Sequence, residues 1–268
     1  MVTILLITRA TPDRLERMAK KVSRAVGVDI GGTGIKAGIV DLERGELTSD
    51  RIRVDTPEGA TPDDVLAAVQ EVLERLPGVE GDLPLGVAFP AIVKRGTTMS
   101  AANVSDAWIG FEAEKFFEKG LGRGIHFVND ADAAGIAEVR YGAARGQEGL
   151  TILTTLGTGI GSAFIYDGML IPNTELGHLS YKGESIEKYA AYSAMERDEL
   201  SWEKWAKRLQ KFYDHVDFLF SPDLLVVGGG VSKHPDRFLP LLELTTPLVP
   251  AVHRNSAGII GAASLAGD

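Results

Sequence analysis

The sequence Asp29-Ile30-Gly31-Gly32-Thr33-Gly34-Ile35 contains the tetrapeptide Gly-Thr-Gly-Ile, which recurs within Leu156-Gly157-Thr158-Gly159-Ile160-Gly161. Each copy follows a β-rich run and precedes an alternating pattern that predicts another strand. The copies are much too far apart for a solenoid repeat, so duplication of a whole lobe is the better explanation. Two similar lobes would place the two glycine turns opposite each other across a cleft, where small ligands usually bind.

Strand and helix patterns alternate on both sides of these turns. Helix starts are indicated by Thr61-Pro62, an N-cap followed by proline at the first helical position, and by Asp130 after a buried strand. The predicted strands cover 25–30, 35–41, 47–54, 85–89, 125–129, 150–156, 162–166 and 224–227, and the helices cover 62–76, 130–141 and 202–219. Strands followed by helices, twice over, predict an α/β architecture.

Composition excludes several classes of protein. The 268 residues include 37 acidic and 28 basic side chains, which gives a net charge of −9. An acidic balance argues against general binding of nucleic acid or anionic membranes. The chain has no cysteine, so it forms no disulfide and has no cysteine-ligated metal or thiol nucleophile. No run approaches the ~20 apolar residues of a membrane span. Residues 1–24 predict a poorly ordered leader or an added helix, because their basic residues follow the apolar run, whereas a signal peptide has its charges before it. The absence of an export signal favours the cytoplasm.

The glycine turns predict a phosphate site, because backbone amides can approach an anion closely where side chains are absent. A conformational role in two hairpins is the alternative. No Gly-Lys dipeptide occurs, so a Walker A loop is excluded, and the first turn lacks the third glycine and the following helix of a dinucleotide fingerprint.

Two carboxylates stand beside these elements. Asp29 ends the first strand, where it could hold hydrated Mg²⁺ against phosphate, or simply cap the turn. Asp130 lies between a buried strand and a helix, which suits either an active-site carboxylate or a helix cap.

Five segments, taken in order, resemble motifs of the ROK-family sugar kinases. They are Asp29-Ile30-Gly31-Gly32-Thr33, Asn129-Asp130-Ala131-Asp132, Leu156-Gly157-Thr158-Gly159-Ile160-Gly161, Glu175-Leu176-Gly177-His178 and Gly228-Gly229-Gly230-Val231-Ser232. The resemblance implies a two-lobed, actin-like (hexokinase and ribonuclease-H-like) ATPase fold with the active-site cleft between the lobes. The smaller lobe would span 25–128 and the larger 129–268, with the chain re-entering the small lobe at its C-terminus.

Within that family, further segments resemble the members that use inorganic polyphosphate as well as ATP. They are Ser100-Ala101-Ala102-Asn103-Val104, Trp108-Ile109-Gly110, Arg140-Tyr141-Gly142-Ala143-Ala144-Arg145 and the stretch 255–263. This implies Mg²⁺-dependent transfer of a phosphoryl group from polyphosphate or ATP to the 6-hydroxyl of glucose, with mannose as another acceptor and a homodimer as one assembly. Alternatives are an ATP-dependent kinase for another hexose, such as fructose or N-acetylmannosamine, and a sugar-responsive protein without catalysis.

The same resemblance assigns residues by position. Asp130 becomes the general base, and the sugar ligands are Asn103, Asn129, Asp130, Glu175, His178 and Glu187. Together with the glycine turns and nearby charged residues, the resemblance predicts donor ligands at Asp29, Gly31, Gly32, Thr33, Gly34, Lys36, Arg145, Thr155, Gly157, Thr158, Gly159, Gly228, Gly229 and Gly230. Asp29 would hold Mg²⁺ through water, and our hypothesis is that Lys36 and Arg145 line the donor channel. The family's zinc-binding cysteines are absent, so no zinc site is expected. A basic track for polyphosphate would draw on Lys36, Arg44, Arg51, Arg53, Lys94, Arg95, Arg140 and Arg145.

Overall fold

The computed structural model describes residues 22–79, 83–101 and 104–268. The leader predicted over residues 1–24 lies almost wholly outside the described residues, as does the predicted sugar ligand Asn103. Arg24 already belongs to the first strand, which therefore begins one residue earlier than predicted. In the described part, no helix is both long and apolar enough to cross a membrane.

The first lobe is built on a six-stranded sheet. Its elements are β1 (Arg24–Ile30), β2 (Ile35–Asp41), β3 (Glu46–Leu47), β4 (Ile52–Val54), α1 (Pro62–Glu74), β5 (Leu85–Phe89), β6 (Val93–Lys94), β7 (Thr97–Thr98), α2 (Ala113–Leu121) and β8 (His126–Asn129). β2 pairs antiparallel with β1, and both β3 and β4 pair with β2. On the other side of β1, β5 and then β8 add in parallel. β6 and β7 form a separate hairpin.

The second lobe repeats this plan. After α3 (Asp130–Tyr141) its elements are β9 (Leu150–Leu156), β10 (Ile160–Tyr166), β11 (Met169–Ile171), β12 (Ser180–Tyr181), β13 (Glu184–Ser185), α4 (Glu187–Ala190), α5 (Tyr192–Arg197), α6 (Trp202–Phe220), β14 (Leu224–Gly228), β15 (Leu248–Pro250) and α7 (Ala257–Ala266). β10 pairs antiparallel with β9 and with β11, whereas β14 and β15 add in parallel on the other side of β9. The strand order and directions match the first sheet, so the predicted duplication is confirmed.

Two helices made largely of small residues join the lobes. α7 packs on β1 and β5, while α3 packs on β9 and β10, and the two helices pack against each other. A methyl group at Gly27 or Gly86 would come within 1.9 Å of a carbonyl oxygen of α7, and one at Gly261 would come within 1.7 Å of the Ala133 carbonyl oxygen. Glycine is required at these positions because the backbones approach more closely than any side chain allows.

Local structure follows the sequence at most element ends. The Thr61 hydroxyl accepts the Asp64 N–H at 3.4 Å, which confirms the predicted cap of α1. The strand predicted over 47–54 is instead divided into β3 and β4. The division arises because the Ser49 hydroxyl accepts the Ile39 N–H at 3.0 Å and replaces a backbone partner there.

Aromatic side chains fill the cores of both lobes. Trp108 is fully buried against Phe89, Phe111 and Phe117, and its indole N–H donates to the Ala60 carbonyl at 2.8 Å. In the second lobe, α6 presents its buried face through Trp205, Leu209, Phe212, Tyr213 and Val216. The C-terminal end of α6 is different, because Phe218 and Leu219 are 86% and 52% exposed.

Candidate active site

A cavity of about 670 Å³ lies between the two lobes and is lined by residues of both. Sixteen of the residues predicted from sequence line it: Asp29, Gly31, Gly32, Lys36, Asn129, Asp130, Thr155, Gly157, Thr158, Gly159, Glu175, His178, Glu187, Gly228, Gly229 and Gly230. Both glycine turns therefore face one space, as their duplication predicts. Thr33, Gly34 and Arg145 are absent from the lining.

The first glycine turn joins β1 to β2 and is held from outside the cavity. The Gly31 N–H donates to the Gly34 carbonyl at 3.1 Å, which closes the turn. Arg53 donates from Nη2 to the Thr33 carbonyl at 2.7 Å, and its guanidinium lies directly against Gly34. Thr33 and Gly34 thus face Arg53, which explains why only Gly31 and Gly32 reach the cavity.

The second glycine turn joins β9 to β10 and is held by the segment that carries α4 and α5. The Gly157 N–H donates to the Gly159 carbonyl at 3.0 Å, and Ser193 donates to the carbonyls of Gly157 and Thr158 at 3.0 and 2.5 Å. The Ile160 N–H donates to Oε2 of Glu187 at 3.1 Å. The backbone of this turn is therefore fixed at both of its ends.

The third glycine segment follows β14. Gly229 has φ +78°, and a methyl group there would lie 2.5 Å from the Leu156 carbonyl oxygen. Only glycine combines this backbone conformation with such a close approach. The contact brings Gly228 to Gly230 beside the second glycine turn, so the second and third glycine segments form one continuous wall of the cavity.

Asp130 begins α3 and lies half-buried in the cavity wall. Burial raises the pKa of Asp130 to about 7, and the nearby charge of Asp29 contributes further to that rise. A carboxyl with a pKa near neutrality is suited to accept a proton. The cap of α3 is provided by its neighbour, so Asp130 is not the N-cap residue that the alternative interpretation made it.

Asn129 provides that cap. Its Oδ1 accepts the N–H groups of Ala131 and Asp132 at 2.9 and 3.0 Å, and its Nδ2 donates to the Ala91 carbonyl at 3.0 Å. The side chain is buried, and its second amide hydrogen remains available to a ligand. Asn129 thereby ties the first turn of α3 to the segment after β5.

Glu175, His178 and Glu187 form a row along one side of the cavity. His178 Nε2 lies 3.8 Å from Glu175 Oε2, and its Nδ1 lies 4.0 Å from Glu187 Oε1. Burial raises the pKa of Glu175, an effect that His178 opposes and Glu187 reinforces. Carboxylates and an imidazole arranged in this way can accept and donate hydrogen bonds in fixed directions.

Asp29 and Lys36 form an ion pair in the cavity, with Nζ 3.1 Å from Oδ2. Among the described residues, no three His, Asp or Glu side chains are grouped closely enough to hold a metal by themselves. Hydrated Mg²⁺ needs only one or two carboxylates, because phosphate oxygens and water complete its shell. The Asp29 carboxylate is therefore a ligand that suits this ion.

Asp132 is a buried carboxylate that the sequence analysis left without a role. It is 1% exposed, its Oδ2 accepts the Asn173 N–H at 2.8 Å, and its Oδ1 has no partner in the described part of the chain. Burial raises the pKa of Asp132 to about 7, although the bond from Asn173 opposes the rise. The Asn173 side chain in turn bonds the N–H and carbonyl of Val93, at 2.7 and 2.8 Å. Asp132 and Asn173 thus connect the two lobes.

The cavity lining also includes residues for which the sequence predicted no role. Among them are Pro90, Ala91, Ser100, Ala101, Ala251, Arg254, Asn255, Ala257 and Gly258. Arg254 is the notable member, because it places an arginine where Arg145 was predicted.

Arg145 is exposed and follows α3 at the end opposite Asp130, about 18 Å along a 12-residue helix. Arg145 therefore lies outside the lining of this cavity.

Comparison with known proteins agrees with these features. The model of the ROK family matches residues 25–188. The chain is 45% identical over 259 residues to a polyphosphate glucokinase of Mycobacterium tuberculosis (strain CDC 1551 / Oshkosh), covering 96% of this chain and 97% of the relative.

Solved structures show that the similarity includes the three-dimensional fold. The inorganic polyphosphate/ATP-glucomannokinase from Arthrobacter sp. strain KM is 51% identical, with a TM-score of 0.88, and the match covers 91% of this chain and 98% of the other. A ROK family glucokinase from Streptomyces griseus, solved with glucose and AMPPNP, is 26% identical, with a TM-score of 0.74 and coverage of 90% and 98%. These structures confirm the predicted two-lobed, actin-like fold, and this chain belongs to the ROK family.

Proposed function

We propose that this protein is a sugar kinase that transfers a phosphoryl group from inorganic polyphosphate or ATP to the 6-hydroxyl of glucose. The observation that carries the proposal is that Asp130, with its raised pKa, shares one cavity with two glycine turns. The polyphosphate glucokinase and the polyphosphate/ATP-glucomannokinase similar to this chain support the choice of acceptor and donors.

The residues divide into acceptor and donor groups. Glu175, His178 and Glu187 would hold the sugar hydroxyls, and Asn129 would contribute its remaining amide hydrogen. The 6-hydroxyl oxygen attacks the terminal phosphorus while its proton passes to the Asp130 carboxylate, and the bond from that phosphorus to the bridging oxygen breaks. Positioning and charge stabilisation supply most of the catalysis in such a transfer.

The donor phosphates would lie against the backbone amides of the two glycine turns, with Lys36 beside them. Mg²⁺ held by Asp29 through water would neutralise negative charge on the transferring group. The run from Gly228 to Gly230 would receive the adenosine part of ATP, and polyphosphate would leave that surface free. Mannose as a second acceptor, a homodimer, absence of zinc and a cytoplasmic location belong to the same proposal.

A matrix of acceptors and donors tests the proposal. Glucose, mannose, fructose and N-acetylmannosamine are each incubated with Mg²⁺ and either ATP or long-chain polyphosphate, and hexose 6-phosphate is measured. We expect glucose to be phosphorylated with both donors, and Asp130→Asn to provide the inactive control. Phosphorylation of only fructose or N-acetylmannosamine would replace the assigned acceptor. No product from any pair would favour a sugar-responsive protein without catalysis.

A further inference from the structure

We propose that Arg254 binds the phosphate chain of an anionic donor at the rim of the cavity. This inference rests on the proposed function and names the side chain that recognises an extended polyanion. Within the described ranges, Lys36 and Arg254 are the two lysine or arginine residues in the cavity lining. Lys36 is already paired with Asp29, whereas none of the ion pairs formed by described residues includes Arg254.

Glu138 fixes the backbone that carries Arg254. This carboxylate is 1% exposed, and it accepts the N–H groups of His253, Val252 and Ala143 at 2.8, 3.0 and 2.8 Å. The two residues immediately before Arg254 are thereby attached to α3, the helix that begins with Asp130. The backbone next to Arg254 is consequently attached to the helix that carries Asp130, which helps to position a phosphate-binding residue.

The backbone at Arg254 is held in an unusual conformation. Its φ is +47°, in the left-handed region that residues with a Cβ atom rarely occupy. Such positions persist where the surroundings dictate them, and they cluster at ligand sites. Here the hydrogen bonds of Glu138 hold the two preceding residues, and Arg254 itself is an exposed residue of the cavity lining.

The neighbours of Arg254 place it on the donor side. A methyl group at Gly258 would lie 2.8 Å from the Asp29 carboxyl carbon, so this segment borders the first glycine turn. The 3₁₀ turn Gly230–Lys233 also packs against Arg254–Ser256. The segment that carries Arg254 therefore contacts both the first and the third glycine segments.

Arg51 brings a second guanidinium to the same rim. It belongs to the first lobe, and its Nη1 donates to the Asn255 carbonyl at 3.4 Å. A guanidinium can bind phosphate through two parallel N–H donors, and a longer phosphate chain can engage both arginines. These two neighbouring arginines could bind a polyanion locally although the chain as a whole has a net charge of −9. The prediction is that Arg254 serves both donors and Arg51 serves only long polyphosphate.

The test uses Arg254→Ala, Arg254→Lys and Arg51→Ala, with Arg237→Ala as the matched control. Arg237 is an exposed arginine of the second lobe that lies outside the cavity lining. KM is measured for ATP and for long-chain polyphosphate at saturating glucose, and direct binding of polyphosphate is measured over a range of salt concentrations. Melting temperatures check that each variant is folded.

We expect Arg254→Ala to weaken polyphosphate binding about tenfold, the effect of losing one charge-assisted contact. The slope of log affinity against log salt should fall by about one unit, with Arg254→Lys retaining most of it. Arg51→Ala should raise KM for polyphosphate and leave KM for ATP unchanged. An Arg254→Ala variant indistinguishable from Arg237→Ala would overturn the inference while wild-type turnover kept the proposed function. Absence of turnover in the wild type would overturn that function, and the binding measurements would still decide the role of Arg254.

Discussion

The carboxylate of Glu187 accepts a hydrogen bond from the backbone N–H of Ile160 at 3.1 Å, at the end of the second glycine turn. Its other oxygen lies 4.0 Å from His178 Nδ1, in the row of side chains proposed to hold the sugar. A methyl group at Gly159 would lie 2.5 Å from the bonded oxygen, so the turn leaves room for this carboxylate only because glycine is present. One side chain thus contacts both the turn proposed to hold the donor and the row proposed to hold the sugar.

Replacement of Glu187 should therefore affect both substrates. We expect Glu187→Ala to raise KM for glucose and for the donor, because a lost hydrogen bond to a buried group costs about 1 to 3 kcal/mol, or roughly 5- to 150-fold. Glu187→Gln retains an oxygen for the Ile160 N–H and should leave the donor KM nearly normal. Steady-state kinetics with each substrate varied in turn measure both effects. An alanine variant altered only in KM for glucose would contradict the shared role.

Asp130→Asn should abolish turnover while glucose still binds. Loss of a general base lowers kcat by about 100-fold or more. The helix start should be unaffected, because Asn129 supplies the cap of α3. Rapid-quench kinetics measure turnover, and calorimetry measures the glucose Kd. Near-normal turnover would refute the assignment of the base, and loss of glucose binding would show that Asp130 mainly holds the sugar.

The pH dependence of the rate should reflect the raised pKa of Asp130. A general base acts in its deprotonated form, and burial together with the charge of Asp29 raises this pKa to about 7. We expect kcat/KM for glucose to fall as the pH drops through about 7, approaching a tenfold loss per unit below it. Binding of Mg²⁺ near Asp29 should shift this limb to lower pH. A rate that is constant between pH 5 and 8 would contradict the prediction.

Asp132→Asn should stabilise the ligand-free protein at neutral pH. Burial raises the pKa of Asp132 from 3.8 to about 7, so the folded state binds more protons than the unfolded state between these values. Its contribution to stability is complete below pH 3.8 and is lost as the pH rises through 7. The neutral amide avoids that loss, so the advantage of the variant should grow from pH 4 to 7 and then stay constant. Denaturant unfolding at several pH values measures it, and an advantage independent of pH would contradict the assignment.

Gly86→Ala should prevent stable folding. The added methyl would lie 1.9 Å from the Ala262 carbonyl oxygen, and the backbone of α7 cannot move aside without leaving the sheet. Overpacking typically costs about 1 to 3 kcal/mol, and we expect the upper end of that range because the clash is with backbone atoms. Gly124→Ala is the matched control, since its nearest contact would be a side-chain oxygen at 3.7 Å. Melting temperatures compare the two, and equal stability would show that α7 does not need this close approach.

The sequence predicts the repeated architecture because glycine turns and alternating strands are local patterns. The same is true of the cap at Thr61, which acts within one helical turn. The sequence also predicted that Asp29, Asp130 and the row of Glu175, His178 and Glu187 belong to one cleft. That prediction was possible because these residues lie in motifs that occur in the order typical of the family.

Residues that act through distant partners could not be found in this way. Glu138 lies within an alanine-rich helix, and its partners Val252 and His253 are more than 110 positions away in sequence. Asp132 meets Asn173 by the same kind of long-range contact, at 2.8 Å. Arg254 has no local pattern at all, because its position depends on where Glu138 holds the chain. Only the packed structure distinguishes it from Arg145.

The contact between Gly261 and Ala133 joins the two helices that connect the sheets, about one helical turn from Asp130. In a rotation of the lobes about that contact, displacement would grow with distance from it. The outer rims of the cleft would then move farther than the Asp130 carboxylate. Asp130 is thus located where such a rotation would displace it least.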